Sequence, residues 1–175
     1  MNNQELLEYN KNRKVTQICI ATDREIDEVL QEWVDKLKVG PWTVYELSNE
    51  TIQEPMWDDE PVTEPFLYKC ALATYGNIQV EIVQPISGFS GASPFVERVG
   101  TGFQHFKEQI SDEDMQSKIE EFKAVGLRGT NSGHISADYF YNFDSESTLG
   151  VAFEVGNAAP DIEFDEEKFY IFPRE

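Results

Sequence analysis

Residues 15–40, VTQICIATDREIDEVLQEWVDKLKVG, change their hydrophobic rhythm at Thr22. Before that point Gln17, Cys19 and Ala21 alternate with Ile18 and Ile20, the two-residue period of a strand. After it, apolar side chains fall at Ile26, Val29, Leu30, Trp33, Val34 and Leu37, the stripe of a helix that lays one face on a sheet. Thr22 or Asp23 is placed to cap that helix, Gly40 to end it, and Pro41 to forbid its continuation. WTVYEL (42–47) reads as a second strand. PFLYKCALATYGNIQVEIVQP (65–85) reads as a hairpin turning at Gly76-Asn77. The intervening residues 48–65 hold three prolines and six acidic residues and read as a loop.

The second half repeats this order. TGFQHFKEQI (101–110) is strand-like, and Ser111 with Asp114 marks a helix start. The helix buries Met115, Ile119 and Phe122 before Gly126 stops it. LRGT, ISADYFYNFD and GVAFEV then give three strand-like runs. The helices end in similar text, KLKVG and FKAVG, and each module's last strand carries one glutamate, in VEIV and FEVG. The expected class is α+β: two tandem βαβββ modules, 15–85 and 101–156, forming one domain over 15–156 with a shared cleft. One such unit leaves a sheet face uncovered, and pairing two copies solves this. Residues 1–14 are an N-terminal extension and 157–175 a C-terminal tail. The apolar Phe164, Phe169, Tyr170, Ile171 and Phe172 suit docking of that tail on the body or on a second subunit.

The chain has 175 residues, with 14 Lys and Arg against 33 Asp and Glu, a formal charge of −19. A field of that sign repels phosphate backbones and anionic lipid, which argues against nucleic acid and membranes as partners. No apolar run reaches the ~20 residues of a membrane span. Cys19 and Cys70 sit in apolar strands and read as buried free thiols, so a reducing cytoplasm is expected. Open sheet edges argue for a homodimer.

The lone polar residues of the strands carry the chemistry. If Val80 and Ile82 pack under one helix, and Phe153 and Val155 under the other, then Glu81 and Glu154 point to the opposite, concave face. Gln17 and His105 occupy matching places on the first strand of each module. One imidazole, two carboxylates and an amide oxygen suit a hard or borderline divalent ion: Zn, Ni, Co, Mn or Mg. The plainer alternative is four polar residues on solvated sheet faces. Lys107 and Gln109 share His105's face and Cys19 shares Gln17's, which makes them candidates for substrate binding. His134 falls in TNSGHIS, read as a loop, and Trp42 and Trp57 flank the acidic segment as packing or lid residues.

VEIVQP, SPFVERVGTGFQHF and GVAFEV resemble the vicinal-oxygen-chelate superfamily, which includes glyoxalase I, methylmalonyl-CoA epimerase, extradiol dioxygenases and bleomycin-resistance proteins. The resemblance covers about residues 15–156, and its phrases look most like the epimerase branch. Gln17 departs from the histidine usual there; Gln17, Glu81, His105 and Glu154 instead match the ligand order of animal-type glyoxalase I. The resemblance implies the glyoxalase-like fold, one divalent metal held by these four residues, and a small-molecule substrate. It implies a metal-dependent isomerase, epimerase or lyase that removes a proton next to a carbonyl or thioester. Glu154 would be the base and Glu81 its partner across the substrate. Iron dioxygenases need two histidines and a carboxylate, which this chain does not offer on its strands. The alternative from another class is a non-catalytic protein of the bleomycin-resistance type that sequesters a small molecule.

Overall fold

The computed structural model describes residues 1–158 and 168–174. Module one contributes β1 (Val15–Ala21), α2 (Ile26–Leu37), β2 (Trp42–Ser48), β5 (Leu67–Tyr75) and β6 (Ile78–Ser87). Module two contributes β7 (Gly102–Gln109), α4 (Asp112–Ala124), β8 (Arg128–Ile135), β9 (Asp138–Asp144) and β10 (Ala152–Gly156). Their strands run in the order β2-β5-β6-β1-β7-β10-β9-β8, a mirror-like repeat about the antiparallel β1–β7 seam. In each module the first and last strands pair in parallel, β1 with β6 and β7 with β10. The two modules therefore join within one chain.

Alternation works as the residue pattern requires. Val80 and Ile82 pack with Ile26, Val29 and Leu30 of α2, while Phe153 and Val155 pack with Met115 and Ile119 of α4. Both helices cover the same kind of face, which turns Glu81 and Glu154 to the other side. The β5–β6 turn is Gly76-Asn77, with Gly76 in the left-handed region at φ 65°.

Several local expectations differ. Neither Thr22 nor Asp23 caps α2: Glu25 holds the N-cap position without a side-chain bond, and Gln84 of β6 accepts from the Ile26 amide at 3.0 Å. A polar side chain from the sheet has taken the capping role, because Gln84 is buried against the helix start. At the other end Lys38, in the left-handed region, is the C-cap, two residues before Gly40.

Residues 48–65 are not a plain loop. They form β3 (Gln53–Trp57) and β4 (Glu60–Pro61), and β3 pairs with β8 of the other module. The Asp58 backbone amide donates to the Thr130 carbonyl at 2.6 Å, while the Tyr141 hydroxyl donates to Asp59 at 2.6 Å and Lys123 bridges Asp59 at 3.0 Å. His134 consequently lies on β8, not in a loop, where it faces Tyr139 with ring centroids 4.6 Å apart. Trp42 is fully buried and meets Trp33 edge-on, whereas Trp57 at the end of β3 packs edge-on to Phe89, just beyond β6.

The termini also extend the body. α1 (Asn3–Asn10) carries a capping box between Asn2 and Glu5, and Tyr9 donates to Glu121 of α4 at 2.5 Å. Short helices link the strands at α3 (Ser93–Val99) and α5 (Glu146–Leu149). β11 (Phe169–Phe172) pairs antiparallel with β2, and Phe172 joins the core under α2. The tail thus docks on its own body, and with the β3–β4 hairpin it covers the edges of β2 and β8. Phe164 lies outside the described residues. No described helix is long and apolar enough to cross a membrane.

Candidate functional site

The curled sheet encloses a cleft of about 640 Å³ whose walls come from both modules. Gln17, Glu81, His105, Lys107 and Glu154 all line it. Cys19 stands behind them, fully buried, as the cross-strand neighbour of both Glu81 and His105. Gln109 sits exposed at the end of β7, donates to the Asn157 carbonyl at 3.4 Å, and is not part of the lining.

His105 is the hub. Its Nε2 lies 3.3 Å from Glu81 Oε2 and 3.2 Å from Glu154 Oε2. That nitrogen is buried and makes no hydrogen bond of acceptable geometry. The other ring nitrogen, Nδ1, is held by the side-chain oxygen of Gln104. A ring fixed at one nitrogen, with the second aimed between two carboxylates, is the arrangement a metal-binding histidine adopts. The Cys19 sulfur, a Glu81 oxygen and a His105 nitrogen lie within 4.8 Å of one another. Gln17 shares β1 with Cys19 and lines the same cleft, and its amide donates to Gln79 Oε1 at 2.6 Å. Nitrogen, carboxylate oxygen and amide or thiol donors fit a borderline divalent ion such as zinc, cobalt or nickel.

Electrostatics follow from burial and pairing. Desolvation works against charge on His105, but Glu154 and Glu81 outweigh it and hold the imidazole above its usual value. Burial pushes Glu81 up, yet the nearby His105 imidazole and the Cys70 and Cys19 thiols bring the carboxyl down to about 2. The Cys70 thiol donates to Glu81 Oε1 at 3.1 Å. Both cysteines are pushed well above the ordinary thiol value, first by burial and then by Glu81, which disfavours the thiolate.

Glu154 is held from two further sides. Asn142 donates to its Oε2 at 2.9 Å, and Lys107 Nζ lies 3.3 Å from its Oε1 and 3.3 Å from Asp138 Oδ2. Burial disfavours the charge on Lys107, but Glu154 and Asp138 keep it above the usual lysine value. Asp138, Phe140 and Asn142 line the cleft together from β9, and sequence reasoning did not select them. Their spacing in DYFYN is a two-residue period that marks one strand face, the available signal. Tyr45 and Tyr68 complete an apolar wall with Leu72.

No protein-family model matches this sequence, and none of the curated protein sequences matches it. Solved structures do share its shape. A hypothetical protein from Bacillus halodurans C-125 superposes with a TM-score of 0.64 at 20% identity, over 87% of this chain and 99% of the other. Methylmalonyl-CoA epimerase from Mycobacterium tuberculosis gives 0.59 at 18% identity, over 83% and 88%. A methylmalonyl-CoA epimerase in complex with methylmalonyl-CoA and NH4+ gives 0.57 at 14% identity, over 87% and 98%. With its paired βαβββ modules and one cleft between them, the chain has the glyoxalase-like fold of the vicinal-oxygen-chelate proteins.

Proposed function

We propose that the protein is a divalent-metal-dependent isomerase or epimerase that removes and returns a proton next to a carbonyl, inside the cleft between its modules. The observation that carries this reading is the buried, bond-free Nε2 of His105 between Glu81 and Glu154. His105, Glu81 and Glu154 would hold the ion, with Gln17 as the fourth ligand from β1. Bound there, a divalent ion would act as a Lewis acid that stabilises charge developing on the substrate's carbonyl oxygen.

The chain's own residues supply the proton transfers. Glu154 accepts the proton at a carboxylate oxygen; Asn142 and Lys107 fix that carboxylate in place, so little reorganisation is needed when it acts. Glu81 stands on the other flank of His105 and can return the proton to the opposite face, as an epimerase requires. Tyr68, Leu72 and Phe140 line the same cleft and would supply apolar surface beside the reacting carbon. A lyase acting on a hemithioacetal would use the same groups. The epimerase neighbour bound to methylmalonyl-CoA supports carbonyl-adjacent proton chemistry in this fold. Both cysteines are free and buried, which supports a cytoplasmic setting.

The test follows exchange of the α-hydrogen with deuterated water in the zinc- or cobalt-loaded protein. The panel holds a neutral hydroxyketone, the hemithioacetal of methylglyoxal with glutathione, and methylmalonyl-CoA. Exchange that disappears in Glu154→Gln is the expected result. Tight stoichiometric binding without exchange would point instead to a sequestering protein.

A further inference from the structure

Among the described residues, every cation lining the cleft is already engaged. Of the residues lining it, His105 and Lys107 are the ones able to carry positive charge, against Glu81, Asp138 and Glu154. Lys107 is 4% exposed and lies between Glu154 and Asp138, and His105 lies between Glu81 and Glu154. Arg98 and Arg128 lie outside the lining and are bound to Glu146 and to Asp58 and Asp144 respectively. Lys69 sits opposite Glu46 on β5 and is also outside the lining. The chain as a whole carries −19. A divalent ion at His105 would be balanced by Glu81 and Glu154, leaving no surplus charge for a distant part of the substrate. The rest of the lining carries no charge: Tyr45, Tyr68, Leu72 and Phe140 supply apolar and aromatic surface, and Gln79 and Asn131 supply neutral polar groups.

We infer that the substrate is an uncharged carbonyl compound, with its enolisable end at His105 and an uncharged body against the neutral remainder of the lining. This rests on the proposed proton-transfer reading for the role of the enolisable end, and narrows it by excluding polyanionic thioesters. Burying an anionic tail here would set it against three carboxylates with no free cation to meet it. The cleft volume suits a compound of drug-like size with one or two rings.

Two probes separate charge from everything else: 4-(hydroxyacetyl)benzamide and 4-(hydroxyacetyl)benzoate. They share the same hydroxyketone end and differ by one charge at the far end. Calorimetry on the zinc-loaded protein at physiological salt should show the carboxamide binding at least ~10-fold tighter than the carboxylate. Asp138→Asn should narrow that gap from the other side, since it releases Lys107 from one of its two acids. Equal or tighter binding of the carboxylate would overturn the inference, as would no binding of the carboxamide up to millimolar concentration. Binding of the carboxamide without α-hydrogen exchange would sink the isomerase reading while leaving the charge preference standing.

Discussion

Lys107 crosses β10 at Gly156, where a Cβ would stand 2.2 Å from the lysine Cε and 2.6 Å from the Tyr139 carbonyl oxygen. The lysine reaches Glu154 and Asp138 because the strand has no side chain at that point. Gly156→Ala should therefore move Lys107 off both carboxylates. Because a backbone oxygen is also in the way, the change should cost about 1–3 kcal/mol of stability, read by chemical denaturation. A variant as stable as the parent, with Lys107 still on Glu154 in a crystal structure, would contradict this.

Metal binding should depend on the hub. The double variant Glu81→Ala with His105→Ala should lose calorimetrically detectable binding of Zn2+ or Co2+, because two donors are gone. Gln17→Ala should weaken affinity while leaving binding measurable. Undiminished uptake by the double variant would reject the site.

Glu154→Gln keeps the size and the Asn142 contact but removes the proton acceptor. Exchange of a substrate's α-hydrogen should fall by on the order of 10²–10⁴-fold. A loss of less than a few-fold would assign the base elsewhere.

The β3–β4 hairpin should loosen in acid. The bond from Tyr141, helped by Lys123, lowers the Asp59 carboxyl below its ordinary value of 3.8. A folded value below the unfolded one adds stability that is present above 3.8 and is lost as the pH falls through the folded value. Asp59→Asn should speed amide exchange at Asp58 and Val62 at neutral pH, and the difference from the parent should close in acid. The gain is modest because Asp59 is largely solvated. A difference that persists below the folded value would show that the carboxylate is not the cause.

β11 should be a stabilising strand of its own body. Phe172→Ala removes a buried ring from the cluster around Trp42 and should cost about 3 kcal/mol by thermal or denaturant unfolding. An effect under 0.5 kcal/mol would mean that the tail contributes little to the fold.

Much of the architecture follows from local rhythm alone. The alternation of Gln17, Cys19 and Ala21 with Ile18 and Ile20, and the stripe from Ile26 to Val34, are set by strand and helix periods that need no partner. So is the turn of Glu81 and Glu154 to the cleft face, since their neighbours must go under a helix. Those periods placed Gln17, Glu81, His105 and Glu154 on one face, and the cleft does collect them. Tertiary contact decided the rest. The acidic segment 48–65 shows no clean alternation, and becomes a strand by pairing with β8, far along the chain. Gln84 replaced Thr22 and Asp23 as the cap of α2 because the sheet delivers its side chain to Ile26. Spacing alone makes Lys107 a candidate for substrate binding, on the face it shares with His105. Only the approach of Asp138 from β9 and the missing side chain at Gly156 show it already paired, because charge pairing across strands depends on register and space that one-dimensional spacing does not contain.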